Sequence, residues 1–131
     1  MIQEITKQIE SYQRSIGSND INGLIELRDM LAINSFYLAQ ELAEAKSNYN
    51  SSYFVRKIQI EKSKQGFVKE MAYNKATTEA LIQSEELYKS ELDMESIAVS
   101  LDLLLKQVNK ILDAMSQRIS YLRDEQKLTK N

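Results

Sequence analysis

The sequence predicts an all-α protein in which a short N-terminal helix packs on a long antiparallel helical hairpin, forming a three-helix, coiled-coil-like bundle. Two observations support this fold class. The 131 residues include no proline and only three glycines, so little in the chain interrupts a helix. Apolar residues also recur every seven positions over long stretches, and no segment shows the two-residue alternation of a strand. The length suits a single domain over residues 1–131.

The first helix is predicted over residues 2–16. Its apolar residues are spaced three or four apart, which places them on one side of a helix. They are Ile2, Ile5, Ile9, Tyr12 and Ile16. Gly17 suits the left-handed position that ends a helix, and Ser18, Asn19 and Asp20 can accept hydrogen bonds from the first N–H groups of the next one. A tight turn between two helices is therefore expected at residues 17–20.

The second helix is predicted over residues 20–64, because Leu24, Leu31, Leu38 and Ala45 recur every seven residues. Residues 30–42 are apolar nearly all round, so we expect this stretch to be covered from more than one direction. Gly66 is the only glycine after Gly23, and it predicts the hairpin turn.

The third helix is predicted over residues 67–127 from the clearest periodicity in the chain. Its apolar residues at seven-residue intervals are Ala80, Leu87, Met94, Leu101, Val108, Met115 and Leu122. A reversal at Gly66 would set opposite each other residues whose numbers add to about 132, for example Leu24 and Val108. The first helix is expected to cover the end of the hairpin that holds residues 30–42 and 112–122.

Composition argues against an enzyme. The chain has no histidine and no cysteine, which removes the usual general base and the usual thiol nucleophile. We therefore predict no catalytic residue, no cofactor and no metal site. The chain opens Met1-Ile2-Gln3-Glu4, with an acidic residue where a leader would be basic, and polar residues interrupt every apolar stretch. These features predict a cytoplasmic protein that does not enter a membrane.

Charge alternates in sign along the chain although the net charge is only −2. The most basic stretch, residues 46–75, surrounds the predicted hairpin turn, and its aromatic residues lie among the cations. The candidate partner-binding residues are Tyr53, Arg56, Lys57, Lys62, Lys64, Phe67 and Lys69. Three interpretations stay open: a solvated end kept soluble by its lysines, a protein-binding surface, or a nucleic-acid site using phosphate contact and base stacking.

An acidic stretch follows, with six carboxylates at Glu79, Glu85, Glu86, Glu91, Asp93 and Glu95. Paired carboxylates can hold a hard cation. However, di-iron helical bundles use repeated Glu-x-x-His motifs, and this chain has no histidine. A solvated helix face, or a contact with a basic protein, is the better interpretation.

Three parts of the chain resemble small all-helical accessory proteins encoded by bacteriophages. They are Tyr53 and Arg56 with the run Lys64-Gln65-Gly66-Phe67, the Ala72 and Ala76 spacing, and the ending from Ile119 to Glu125. The resemblance covers about half of the chain. It implies a role in binding, either to inhibit a host or defence protein or to serve phage DNA metabolism.

Taken together, these patterns predict a non-catalytic protein-interaction module that forms a homo-oligomer. The alternative is a nucleic-acid-binding accessory protein that uses the basic end of the hairpin. Self-association is expected because apolar residues lie in the polar part of the hairpin beyond the first helix. These residues are Tyr53, Phe54, Val55, Ile58, Ile60, Phe67 and Val68.

Overall fold

The computed structural model describes residues 1–15, 19–68 and 72–129. It contains α1 (Ile2–Arg14), α2 (Ile21–Val68), α3 (Tyr73–Gln83) and α4 (Glu85–Thr129). Helices make up 95% of the described residues, which include no strand, and α2 packs against α4, so the all-α helical hairpin is confirmed. None of the described helices combines the length and apolar character needed to cross a membrane. The glycine-led turn predicted at Gly17 and Ser18 lies outside the described residues.

The chain forms two compact units. Unit 1 comprises Met1–Glu41 and Leu101–Asn131, and unit 2 comprises Leu42–Ser100. The single domain predicted over residues 1–131 stays a prediction.

Helix α2 begins with a side-chain cap, as its sequence predicts. The Gly23 N–H donates a hydrogen bond of 3.1 Å to Oδ1 of Asp20, and the Leu24 N–H donates one of 3.1 Å to the Asp20 carbonyl oxygen. A β-carbon at position 23 would lie 2.5 Å from the Asp20 carboxylate. Glycine at this position therefore leaves room for the cap.

Unit 1 is built around large apolar side chains. Ile5 on α1, Leu31 and Leu38 on α2, and Val108 and Met115 on α4 are fully buried. The prediction that the first helix packs on the hairpin is confirmed at two points. Tyr12 packs against a cluster of Leu24, Ile119 and Leu122, and Nδ2 of Asn34 donates a hydrogen bond of 2.9 Å to Oε1 of Gln8 on α1.

Unit 2 buries smaller side chains and two polar groups. Its buried residues are Leu42, Ala45, Ala76, Ala80, Ser84, Glu91 and Ala98. The Ser52 hydroxyl lies 2.9 Å from Sδ of Met94, and Arg56 forms an ion pair with Glu91. Small side chains allow two helices to approach closely, and the Arg56–Glu91 pair occupies one position of that interface.

The predicted turn at Gly66 and the predicted register were wrong. Helix α2 continues through Gly66 to Val68, and none of the described glycines has a positive φ. The pairs Ser52–Met94 and Arg56–Glu91 add to 146 and 147 instead of 132. These sums exceed 132 by 14 and 15 residues, or about two heptads. A shift by whole heptads again places apolar residues of one helix opposite apolar residues of the other. Periodicity alone therefore does not separate the two registers.

The predicted pairing of Leu24 with Val108 fails for the same reason, because Leu24 packs against Ile119 and Leu122. The third helix also differs from its prediction over residues 67–127: it is divided at Ser84 into α3 and α4. The Ser84 hydroxyl donates a hydrogen bond of 2.9 Å to the Leu81 carbonyl oxygen, and such back-bonding by serine bends helices.

The expectation that residues 30–42 are covered from more than one direction holds only in part: α1 contacts this stretch at Asn34 and α2 packs against α4, but one side stays uncovered. Leu31, Leu38 and Leu42 are buried, but the large apolar side chains on the other side of the helix remain exposed. They are Met30, Ile33, Phe36 and Tyr37. Unit 1 thus leaves this side of the stretch exposed.

Candidate protein-interaction surfaces

The predicted basic surface is not a single group of solvated cations. Lys57 and Lys62 are exposed, whereas Lys64 is half-buried. The two aromatic residues predicted to act with them, Tyr53 and Phe67, are also half-buried. The cations therefore differ in their surroundings.

Arg56 points into the helix interface of unit 2. Its Nε donates to Oε2 of Glu91, and its second nitrogen lies 3.4 Å from Oε1, while the two side chains are only 17% and 5% exposed. The guanidinium carbon lies 5.7 Å from the ring centre of Tyr53 and 5.1 Å from that of Tyr88. The hydrogen bond with Glu91 raises the pKa of Arg56 above its ordinary value. Arg56 is thus engaged inside the protein rather than offered to a partner.

Two lysines lie against tyrosine rings. The Lys57 ammonium is 4.6 Å from the ring centre of Tyr53, close enough for a cation–π contact. The Lys64 ammonium donates a hydrogen bond to the Tyr73 hydroxyl and lies 4.1 Å from its ring centre. This hydrogen bond raises the pKa of Lys64. Lys69, the last predicted cation, lies outside the described residues.

An open pocket of about 430 Å³ lies beside Arg56 in unit 2. Leu81 and Ile82 of α3 and Tyr88 of α4 contribute to its walls. The lining is mostly apolar, Glu91 neutralises the Arg56 guanidinium, and Glu85 adds a carboxylate. Its composition suits an apolar side chain better than an anion.

The acidic stretch does not converge on one point. Glu91 faces Arg56, and Glu85 pairs with Lys89 at 3.6 Å on the helix surface. Glu95 raises the pKa of the Tyr49 hydroxyl through charge repulsion of the phenolate. Among the described residues, no three acidic groups are placed to hold a metal ion together.

The largest departure from the sequence prediction is an apolar surface on α2 in unit 1. We call it the first apolar patch, and it consists of Met30, Ile33, Phe36 and Tyr37. Ile33 and Phe36 are 59% and 61% exposed, and Phe36 packs edge-on against Tyr37 with ring centres 5.8 Å apart. At 100° per residue, Ile33 points 200° away from the buried Leu31, so the patch faces outward.

A second outward-facing apolar surface lies on α2 in unit 2. This second apolar patch consists of Phe54, Val55 and Ile58, all more than half exposed. Phe54 and Val55 are both neighbours of Ile58 on the helix surface, because they lie four and three positions before it. Phe54 packs edge-on against Tyr53, with ring centres 5.9 Å apart. Of the residues predicted to mediate self-association, these three are exposed, whereas Tyr53, Ile60 and Phe67 are half-buried. Self-association through this stretch stays a prediction.

The first patch could have been found from the sequence. The helical projection that places Leu31 and Leu38 in the core also places Ile33 and Phe36 on the opposite side. What the sequence did not supply was the number of helices that pack against this stretch.

Comparisons with known proteins add no assignment to this geometry. No protein-family model matches the chain, and neither the curated proteins nor the solved structures include one that is significantly similar to it.

Proposed function

We propose that this chain is a non-catalytic protein-interaction module that binds its partner through the outward faces of α2. The observation that carries the proposal is the first apolar patch, in which four large side chains stand together in solvent on the side of α2 away from the core. A contiguous exposed apolar patch is costly for a soluble protein and commonly marks a protein-binding site. Aromatic residues and methionine, both present in this patch, are enriched in such sites.

The alternative, a nucleic-acid-binding protein that uses the basic residues, has less support. Arg56 is paired with Glu91, and the Lys64 ammonium donates to a tyrosine hydroxyl. Fewer free cations therefore remain for phosphate contacts than the sequence suggested. The resemblance to phage accessory proteins implies a binding role, either on a host or defence protein or in phage DNA metabolism, and does not choose between the two.

Site-specific photo-cross-linking in the organism that encodes the chain tests the proposal. A photoreactive amino acid replaces Phe36 in one variant and Phe54 in another, and Gln117, an exposed polar residue of α4, serves as the matched control. We expect discrete protein adducts from positions 36 and 54, because a buried partner surface would surround these side chains. Position 117 should give none of these adducts.

Equal labelling at all three positions, or no adduct at either patch, would contradict the proposal. The nucleic-acid alternative has its own test, in which Lys57, Lys62, Lys64 and Lys69 are all changed to glutamate. Binding to DNA or RNA that falls steeply with salt, and that this quadruple variant loses while keeping its fold, would replace the proposed function with the alternative.

A further inference from the structure

We propose that the first apolar patch of one copy docks on the second apolar patch of another copy of the chain. The inference rests on the proposed function, since it takes the outward faces of α2 to be binding surfaces, and it names their occupant. Each copy carries one patch of each kind, the first in unit 1 and the second in unit 2. Every copy can therefore both offer and accept the contact.

The charges beside the two patches are opposite in sign. Residues three or four positions from a patch member are its neighbours on the helix surface. For the first patch, the charged neighbours are three exposed acids: Glu26, Asp29 and Glu41. Arg28 forms an ion pair with Asp29 at 3.3 Å, so this rim carries a net charge of −2.

For the second patch, the charged neighbours are Lys57, Lys62 and Glu61, all exposed. Their sum is one positive charge, against a net charge of −2 around the first patch once Arg28 is included. Docking one patch on the other buries apolar side chains at the centre and brings charges of opposite sign together at the rim, which is the usual anatomy of a protein interface.

An antiparallel register makes the match specific. Placing Ile33 of one copy opposite Ile58 of the other sets Tyr37 opposite Phe54, because the residue numbers in each pair add to 91. The same register sets Asp29 opposite Lys62, each one helical turn from its isoleucine. Glu61 then meets the uncharged Met30, so no like charges are opposed at this contact.

The test uses two charge-reversal variants. Each should weaken self-association when it is alone, and the two should restore it when they are mixed. Glu26→Lys with Asp29→Lys makes the rim of the first patch basic, and Lys57→Glu with Lys62→Glu makes the rim of the second patch acidic. Circular dichroism verifies that each variant keeps its helical content, as expected for changes at exposed positions. Sedimentation velocity over a range of concentrations then gives the dissociation constant for self-association.

We expect the wild-type chain to self-associate and each variant alone to weaken self-association by about tenfold or more, because each opposes like charges across the contact. An equimolar mixture of the two variants should restore the wild-type affinity, since each rim then meets its opposite. The matched controls reverse exposed charges elsewhere: Glu10→Lys with Asp124→Lys, and Lys110→Glu with Lys127→Glu. They change the net charge by the same amounts and should leave self-association unchanged.

A wild-type chain that stays monomeric at high concentration overturns this inference. So do variants that weaken self-association alone but are not restored by mixing, or controls that weaken it equally. The proposed function is tested separately. Cross-links from Phe36 to a different protein would support the proposed function and contradict this inference. The absence of any adduct from either patch would contradict both.

Discussion

The two units use the same heptad spacing to build different interiors. Unit 1 fills its core with leucine, isoleucine, valine and methionine beside one buried polar residue, Gln8. Among the described residues, four of the seven buried in unit 2 are alanines and two are Ser84 and Glu91. Hydrophobic stabilisation scales with the apolar area removed from water, so each buried position of unit 1 contributes more. Unit 2 gains less from burial and fixes its register with the Arg56–Glu91 pair. The comparison indicates that unit 1 supplies most of the stability.

Truncation of a core leucine in unit 1 should have the largest effect. Leu31→Ala removes a fully buried side chain, so we expect the free energy of unfolding to fall by about 2 to 5 kcal/mol. Chemical denaturation followed by circular dichroism measures this. The matched control is Phe36→Ala on the same helix, where an exposed ring should contribute no more than about 0.5 kcal/mol to the stability of a single copy.

Equal losses from these two substitutions would mean that the outward face of α2 contributes to folding as much as the inward face. The distinction between core and interaction surface in unit 1 would then fail. The measurement is made at low protein concentration, so that self-association does not stabilise the folded state.

Breaking the ion pair of unit 2 should have the next largest effect. Glu91→Ala leaves the Arg56 guanidinium without its partner in a mostly buried position, and we expect a loss of about 2 to 4 kcal/mol. Replacing both residues, by Arg56→Met with Glu91→Leu, should recover most of the loss because no buried charge remains unpaired. Glu85→Ala, which removes an exposed ion pair with Lys89, is the matched control and should cost about 0 to 0.5 kcal/mol.

If Glu91→Ala costs no more than Glu85→Ala, the Arg56–Glu91 pair does not hold unit 2 together. If the double variant is as unstable as Glu91→Ala, the side chains themselves are needed, through the contacts of Arg56 with the rings of Tyr53 and Tyr88. Either result would change the account of how unit 2 is stabilised.

The sequence predicted the helices and their buried apolar residues better than the register in which the helices pair. Leu24, Leu31 and Leu38 are buried as their spacing indicates. The turn was misplaced because glycine permits a reversal but does not require one, and α2 accepts Gly66 within the helix. The resulting error in the register was about two heptads, a shift that still places apolar residues opposite apolar residues. The spacing of apolar residues also does not indicate a local helix break such as the one at Ser84.

The sequence predicted the charges of the candidate basic surface but not the contacts that those charges make. The sequence identified Arg56 and Lys64 as cations near aromatic residues, yet their partners depend on the register. Glu91 lies 35 positions from Arg56, and Tyr73 lies nine positions from Lys64. Once the register is known, both pairs follow, and the predicted group of free cations is reduced.

The smallest expected effect concerns the hydrogen bond between Lys64 and Tyr73, at the surface of unit 2. The Tyr73 hydroxyl raises the pKa of Lys64 above its ordinary value of 10.5 by accepting a hydrogen bond from the charged ammonium. Tyr73→Phe keeps the ring and removes the acceptor, so the pKa of Lys64 should fall toward that ordinary value. Nuclear magnetic resonance titration of the lysine side-chain carbon signals measures the change. Tyr88→Phe is the control, since it alters a tyrosine of the same unit that contacts Arg56 instead.

The sign of the stability effect follows from the raised pKa. A lysine whose pKa is higher in the folded state stabilises that state below its unfolded pKa, and the contribution disappears as the pH rises through the folded value. Wild type should therefore be slightly more stable than Tyr73→Phe at neutral pH and equally stable once Lys64 has lost its proton. The difference should be small because the ammonium is exposed to solvent. A Lys64 pKa that is the same in both proteins would show that the hydrogen bond does not persist in solution, and that this lysine is free to meet a partner.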